Sequence, residues 1–135
     1  MHELIIPAKI DHLYEAQAFV SGLMEEAGFS TRMTGSISLV VEEIFVNIAG
    51  HAYTPDEGEV KISCAIGSDK TIELTFEDSG KPYDPLAGEK PDIGLPAGQR
   101  EIGGLGIFLY WTIMDNADYR YENGRNILTL RKKEE

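Results

Sequence analysis

Three polar side chains recur at four-residue intervals in the segment 41–51: Glu43, Asn47 and His51. Residues four apart share one face of an α-helix, so this spacing predicts a polar stripe beside an apolar face. A carboxylate can accept a proton, and an amide oxygen can ligate a hard cation such as Mg²⁺. The pair Glu43 and Asn47 therefore predicts a site where a water or a hydroxyl loses its proton beside a magnesium ion. The alternative is a solvated rim of an amphipathic helix with only local hydrogen bonds.

A second candidate is Asp78, which follows an alternating apolar run and precedes Ser79-Gly80. The small residues allow a sharp turn that leaves the carboxylate at the edge of a sheet. A buried carboxylate there accepts a hydrogen bond from an exocyclic amine, which favours adenine over guanine. Pro82 and Pro85 stiffen the loop that follows. The alternative is a simple Asp-Ser-Gly turn and a loop stiffened by proline.

The third candidate is the glycine-rich run Gly103-Gly104-Leu105-Gly106, which leads into an apolar segment. Glycines let backbone amides approach a polyphosphate closely at the positive end of a helix. The spacing is not that of a dinucleotide fingerprint, and no Lys-Ser or Lys-Thr pair follows as in a P-loop. Arg100 lies upstream, within reach of a terminal phosphate if the loop closes. The alternatives are a flexible turn and a solvated arginine.

The elements that must position these residues follow from periodicity and turn signals. We expect a strand at 4–7, a helix from a cap at Asp11 to Gly28, and a helix from Ser30 or Thr31 to about His51. Two strands at 60–66 and 72–76 follow, joined by a turn at 67–70. After a long Gly/Pro-rich stretch at 78–106 come a helix at about 106–115 and a hairpin of strands 117–122 and 126–131 around Asn123-Gly124.

This order predicts an α+β fold, a two-layer sandwich with a mostly antiparallel sheet and helices on one face. With 135 residues, we expect a single domain over residues 1–135 with one continuous core. No stretch approaches the apolar length of a membrane span, and the first residues do not have the pattern of a secretory signal. The one cysteine, Cys64, suits a strand in a reducing cytoplasm.

The formal net charge is -11, so the chain repels a nucleic-acid backbone, and the basic run 131–133 is too short to offset this. An acidic chain that binds an anionic nucleotide must attract it locally, through backbone amides, a divalent cation or both.

The order of the three candidates resembles the N, G1 and G2 boxes of the GHKL ATPase/kinase superfamily, as Glu43-x-x-x-Asn47, Asp78-x-Gly80 and Gly103-Gly104-x-Gly106. The closer resemblance is to the bacterial anti-sigma factor serine/threonine kinase branch. There the N box continues as at His51-Ala52-Tyr53 and the G1 box as at Pro82-Tyr83-Asp84-Pro85. The tail from Met114-Asp115 through Tyr119 to Gly124-Arg125-Asn126 is also similar, so the resemblance covers essentially the whole chain.

The resemblance implies a GHKL ATPase fold, with ATP and Mg²⁺ as cofactors. It implies that Glu43 is the general base, Asn47 the magnesium ligand, and Asp78 the adenine-reading carboxylate with Gly80 beside it. It further implies that the run from Gly103 through Leu105 to Gly106 holds the phosphates, and that Arg100 lies in a mobile lid. Many members also place a Thr on the last strand near adenine. Here Asn126 and Thr129 are both open for that position.

The resemblance implies that the chain phosphorylates a serine or threonine of a small antagonist protein of the anti-anti-sigma type. Some members also bind and sequester a sigma factor, and a homodimer is favoured, through a sheet edge or the first helix. Two other functions are compatible with the same residues: an ATP-gated binding module without kinase activity, and a domain whose site has decayed and which is kept for partner binding alone.

Overall fold

The computed structural model describes residues 1–52, 58–86 and 112–134, with backbone alone at positions 51 and 52. Five antiparallel strands form one sheet in the order β1-β2-β3-β5-β4. Two helices of the described residues pack on it, and the two-layer α+β sandwich is the fold class that the sequence predicts. The elements in chain order are β1 (His2–Pro7), α1 (Leu13–Glu26), α2 (Thr31–Asn47), β2 (Glu59–Ile66), β3 (Thr71–Asp78), β4 (Asn116–Glu122) and β5 (Arg125–Lys133).

The core lies between the helices and one face of the sheet. Alternate residues of β3 are buried, as the period-two pattern requires. The helices cover this face with side chains spaced at three and four residues, including Val20, Ile37 and Phe45, which are fully buried. Cys64 is buried in this core, where desolvation raises the pKa of its thiol to about 11. It therefore packs as an unreactive apolar side chain.

Both predicted hairpins form. The β4–β5 turn has positive φ at Asn123 (54°) and Gly124 (76°), the conformation for which Asn-Gly is favoured. At the β2–β3 turn, Lys70 has a φ of 62°, and its ammonium donates to the carbonyl of Gly28 at 2.6 Å. Gly28 itself ends the first helical region with a φ of 84°.

The starts of the two helices differ from each other in how well the sequence predicts them. Ser30 caps α2, and its hydroxyl oxygen accepts a hydrogen bond from the backbone N–H of Met33 at 3.1 Å. The predicted cap at Asp11 is wrong, because a short 3₁₀ helix at Ile10–His12 precedes α1. His12 takes the N-cap position, and its side chain makes no capping hydrogen bond.

The segment Thr31–Gly50 is 20 residues long with a mean hydropathy of 1.3, which is long and apolar enough to cross a membrane. The expectation that no stretch approaches this length is therefore wrong. Val40 and Val41 of this segment are fully buried in the core. Packing on the sheet accounts for these buried side chains of α2, whereas Leu39 and Val46 of the same helix are exposed.

The third predicted helix, at about 106–115, lies mostly outside the described residues. Thr112 and Ile113 are helical, and Met114 and Asp115 are not. The loop from 78 to 106 is described only as far as Leu86.

Candidate functional site

A cavity opens between the C-terminal half of α2 and the ends of the central strands. Its apolar walls are Ile44, Ile48, Phe76, Pro85 and Leu128. Its polar groups are Asn47, Asp78, Tyr83, Tyr119 and Asn126. The helix, three strands and the loop after β3 therefore converge on one place.

Asn47 stands at the end of α2, where the backbone changes to a π-helical segment, Ile48–Ala52. π-helical turns inside helices are often found at functional sites. The turn contains more residues than an α-helical turn, so the predicted four-residue stripe holds from Glu43 to Asn47 and is not continued in α-helical register to position 51.

Asp78 is the last residue of β3 and only 5% exposed. Its Oδ1 accepts hydrogen bonds from the backbone N–H of Gly80 at 2.9 Å and from Asn126 Nδ2 at 3.0 Å. Among the described residues, Oδ2 accepts none. Desolvation raises the pKa of this carboxyl, and the hydrogen bonds from Asn126 and Gly80 oppose the rise. The carboxylate therefore has an acceptor atom left for a ligand.

Glu43 lies one helical turn before Asn47, but it is not among the residues that line the cavity. It is half-buried. Desolvation raises the pKa of its carboxyl, and the neighbouring charge of Glu42 adds to the rise. A raised pKa brings a carboxylate closer to the range suited to a general base.

The sheet register places one of the two last-strand candidates, Asn126 and Thr129, at the cavity. Asn126 pairs with Asp78 across β3 and β5 and is buried at 6% exposure on the core face. Thr129 pairs with Thr75 instead, and their hydroxyl oxygens are 3.5 Å apart. Positions 126 and 129 differ by an odd number, so their side chains lie on opposite faces of the sheet. Asn126 is the residue at the cavity.

Two tyrosines join this site from runs that the resemblance covers, although the sequence assigns neither of them a role. The hydroxyl of Tyr119 donates to Asn126 Oδ1. The backbone N–H of Tyr83 donates to the same oxygen at 3.0 Å. Tyr83 belongs to a run that the resemblance identifies, but the role of its backbone depends on how the loop folds back onto β5.

The phosphate half of the predicted site, Arg100 with Gly103, Gly104, Leu105 and Gly106, lies outside the described residues. The side chain of His51 does as well. In the described part of the chain, no three His, Cys, Asp or Glu side chains form a metal-binding group.

Residues 6–132 match the sequence profile of a family described as the Histidine kinase-like ATPase domain. The chain belongs to the histidine kinase-like ATPase family. Within it, the chain is 31% identical over 136 residues to serine-protein kinase RsbW of Listeria monocytogenes serovar 1/2a, covering 95% of this chain and 86% of that protein. It is 27% identical over 130 residues to serine-protein kinase RsbW of Bacillus cereus strain G9842, covering 93% and 81%.

The fold of this histidine kinase-like ATPase domain also resembles a solved structure. The RsbU and RsbW domains of Rv1364c from Mycobacterium tuberculosis match with a TM-score of 0.65 at 17% identity. The match covers 98% of this chain and 32% of that chain. The expected fold and family are thereby confirmed, and by sequence the chain falls among the serine-protein kinases of the RsbW type.

Proposed function

We propose that the chain binds ATP with adenine against Asp78 and transfers the γ-phosphoryl group to a serine or threonine of a small antagonist protein of the anti-anti-sigma type. The observation that carries the proposal is that Asp78, a buried carboxylate with one oxygen to which no described residue donates, lines the same cavity as Asn47. Membership of a kinase-like ATPase family supports it.

In the proposed reaction, the bond from the γ-phosphorus to ADP breaks as a bond forms to the hydroxyl oxygen of the partner. The hydroxyl proton goes to Glu43, whose raised pKa supports that role. Asn47 would hold Mg²⁺, which neutralises the charge on the phosphate oxygens during transfer. Gly103, Gly104, Leu105 and Gly106 would contribute backbone contacts to the phosphates, and Arg100 would reach the terminal phosphate.

ATP entry requires the cavity to widen. The cavity holds about 30 Å³, room for about two water molecules, and a purine is larger. Tyr83 and Pro85 form the part of the wall that lies outside regular structure, and the Tyr83 side chain is 44% exposed. Rotation of that ring outward would open the mouth while the Tyr83 N–H keeps its hydrogen bond to Asn126.

The proposal extends to partners and location. We place the chain in the cytoplasm, without direct contact to nucleic acid or membrane. It binds a sigma factor when the antagonist is phosphorylated.

A homodimer is part of this proposal. β1 is an edge strand, with Ile5 exposed at 59% and Tyr14 of α1 at 79%, so an edge or α1 contact would cover apolar surface. Sedimentation at micromolar concentration tests it, and a monomer would count against this part.

The central test incubates the full chain with Mg²⁺, γ-labelled ATP and candidate antagonist proteins. We expect label on a serine or threonine of the antagonist, and transfer abolished in Glu43→Gln. Glu42→Gln is the matched control because it removes the same charge one position away and keeps the proposed base; we expect its transfer to persist at pH 8. Transfer that survives Glu43→Gln would overturn the assignment of the base.

The alternative is an ATP-gated binding module, which the position of Glu43 outside the cavity wall favours. It predicts that the wild type transfers no label and that nucleotide-dependent association with the antagonist survives Glu43→Gln. Thermal unfolding with Mg-ATP separates both functions from a decayed site. A ligand at 100 times its dissociation constant adds about 2.7 kcal/mol, and the absence of a shift would leave partner binding alone.

A further inference from the structure

The side chain of Asn126, on β5, hydrogen-bonds to polar groups of β3, of β4 and of the loop after β3. Its Nδ2 donates to Asp78 Oδ1 at 3.0 Å and to the carbonyl of Lys81 at 2.9 Å, and lies 3.4 Å from the carbonyl of Gly80. Its Oδ1 accepts from the backbone N–H of Tyr83 at 3.0 Å and from the hydroxyl of Tyr119. One buried side chain thus joins β3, β4 and the loop after β3 to β5.

The orientation of the Asn126 amide follows from its partners. The backbone N–H of Tyr83 can only donate, so it must face Oδ1. The carbonyl of Lys81 can only accept, so it must face Nδ2. Rotating the amide by 180° would place Oδ1 against two acceptors, Asp78 Oδ1 and the carbonyl of Lys81, and Nδ2 against the N–H of Tyr83. Asn126 therefore always presents an N–H to Asp78.

The hydrogen-bonding capacity of Asn126 is fully used. A side-chain amide offers two N–H donors and two acceptor lone pairs, and all four have protein partners. Asn126 consequently has no group left for a ligand, although it is buried at the cavity. A direct contact with a nucleotide base would require one of these hydrogen bonds to break.

Asp78, by contrast, has hydrogen-bonding capacity that the described residues do not use. Both hydrogen bonds that it accepts from described residues fall on Oδ1, and these two donors fix the rotation of its carboxylate. Oδ2 is left as an acceptor at the cavity. An acceptor in a fixed place attracts an N–H group of a ligand and repels a carbonyl oxygen, and a buried polar group without a partner is costly.

We propose that Asn126 is the positioning residue for base selectivity: by holding Asp78 Oδ1, it fixes Oδ2 as an acceptor that selects a purine with an exocyclic amine and rejects one with a carbonyl at the same position. This rests on the proposed binding of ATP at Asp78. It assigns Asn126 no contact with the nucleotide. Without it, the carboxylate can rotate and the discrimination is relaxed.

The experiment measures the dissociation constants of Mg-ATP and Mg-ITP by calorimetry, because ITP carries a carbonyl where ATP carries the amine. We expect the wild type to prefer ATP by about 100-fold or more, as sites that hydrogen-bond a ligand group discriminate strongly. Asn126→Ala is expected to lower that preference about tenfold, mainly by weakening ATP. A merely structural defect would weaken both nucleotides equally and leave the ratio unchanged.

Two further variants make the test specific. Asn126→Asp keeps acceptors for Tyr83 and Tyr119, loses both donors and places a like charge beside Asp78, so its ATP preference should fall at least as far as that of Asn126→Ala. Thr129→Val changes the same strand on the opposite face and should keep the wild-type ratio. Circular dichroism confirms that each variant is folded, and Asn126→Asp preserves the side-chain volume if Asn126→Ala does not fold.

The possible failures are distinguishable. A wild type that binds neither nucleotide would overturn the proposed function. A wild type that prefers ATP, with the same preference in folded Asn126→Ala and Asn126→Asp, would overturn the role of Asn126 and leave ATP binding intact.

Discussion

The carboxylate of Glu134, just beyond β5, accepts a hydrogen bond from the backbone N–H of Ser30 at 3.1 Å, across a separation of 104 residues. Ser30 is the N-cap of α2, and its hydroxyl oxygen accepts from the N–H of Met33. In a capping box, a Glu or Gln at the third helical position supplies the carboxylate or amide. Here that position is Met33, and Glu134 supplies the acceptor from the other end of the chain.

Ser30→Ala should therefore destabilise the fold by about 1 kcal/mol, within the range of roughly 0.5–2 kcal/mol for a lost N-cap. The backbone N–H of Met33 would lose its acceptor. Urea unfolding measures the change, and a lower midpoint with an unchanged slope is the expected form. Ser36→Ala, within the same helix, is the control and should lie within about 0.5 kcal/mol of wild type. Equal losses in both variants would contradict the capping role.

Asp78→Asn should stabilise the unliganded protein near neutral pH and weaken ATP binding by roughly 100-fold, or about 2.7 kcal/mol. The pKa of Asp78 is raised by burial above its ordinary value of 3.8, so the ionised form opposes folding. The amide keeps an oxygen for the donors from Gly80 and Asn126 and directs an N–H towards the base.

The sign of the pH dependence follows from linkage. Below pH 3.8 the carboxyl is protonated in both the folded and the unfolded state, and the two proteins should differ little in this respect. As the pH rises through the raised pKa, wild type loses stability relative to the variant, and the difference then levels off. Urea titrations at several pH values test this. A variant less stable than wild type at pH 8, with unchanged ATP affinity, would refute the prediction.

Glu42→Gln should move the acid limb of the pH profile of the transfer rate to lower pH. Burial is the larger cause of the raised pKa of Glu43, and the charge of Glu42 is the second. Removing that charge lowers the pKa of Glu43, so the base remains ionised in more acidic solution. The rate should rise on the acid side and stay unchanged above the limb.

The control for this shift is Glu26→Gln, which removes the same charge at the end of α1. Positions 31 and 43 of α2 are about 18 Å apart along the helix at 1.5 Å per residue, and Glu26 lies before the start of that helix. A separation of about 18 Å exceeds the Debye length of about 8–10 Å at physiological salt. A single-turnover rate profile from pH 5 to 9 measures both variants. Coincident acid limbs in wild type and Glu42→Gln would show that Glu43 is not the titrating base.

Tyr119→Phe should cost about 0.5–1.5 kcal/mol of stability, the net value of one hydrogen bond. The hydroxyl of Tyr119 would be missing from Asn126 Oδ1, while the N–H of Tyr83 would still orient the amide. Base selectivity should fall less than in Asn126→Ala. Tyr121→Phe on the same strand is the control, since Tyr121 is 46% exposed. A loss of selectivity as large as that of Asn126→Ala would mean that Tyr119, rather than the Tyr83 N–H, determines the orientation of the Asn126 amide.

Local signals predicted local structure well. The Asn123-Gly124 turn, the end of α1 at Gly28 and the cap at Ser30 each depend on the backbone preferences of one or two residues. The cap at Asp11 failed for a local reason of the same kind. The chain makes a 3₁₀ turn at Ile10–His12, and α1 begins after it at Leu13 with His12 in the N-cap position. The ring of His12 hydrogen-bonds to Glu15 at 2.7 Å.

The choice between Asn126 and Thr129 required the folded sheet. Apolar Ile127, Leu128 and Leu130 do not alternate cleanly, so the pattern does not say which face of the last strand is covered. The sheet order settles it, because β5 inserts between β3 and β4 and pairs Asn126 with Asp78. That pairing joins residues 48 positions apart and depends on the crossover between β3 and β5.

By itself, the sequence determined the family, the α+β class, the order of the described strands and of the first two helices, and the candidates Glu43, Asn47 and Asp78. Spacing along one element and turn preferences are properties of the local chain. Only the tertiary structure decided which of these residues share a cavity and that Asn126, Tyr119 and the Tyr83 backbone complete it. Hydrogen bonds between distant residues depend on strand register and on which face is buried. Strand register and the choice of buried face are set by packing of the whole domain.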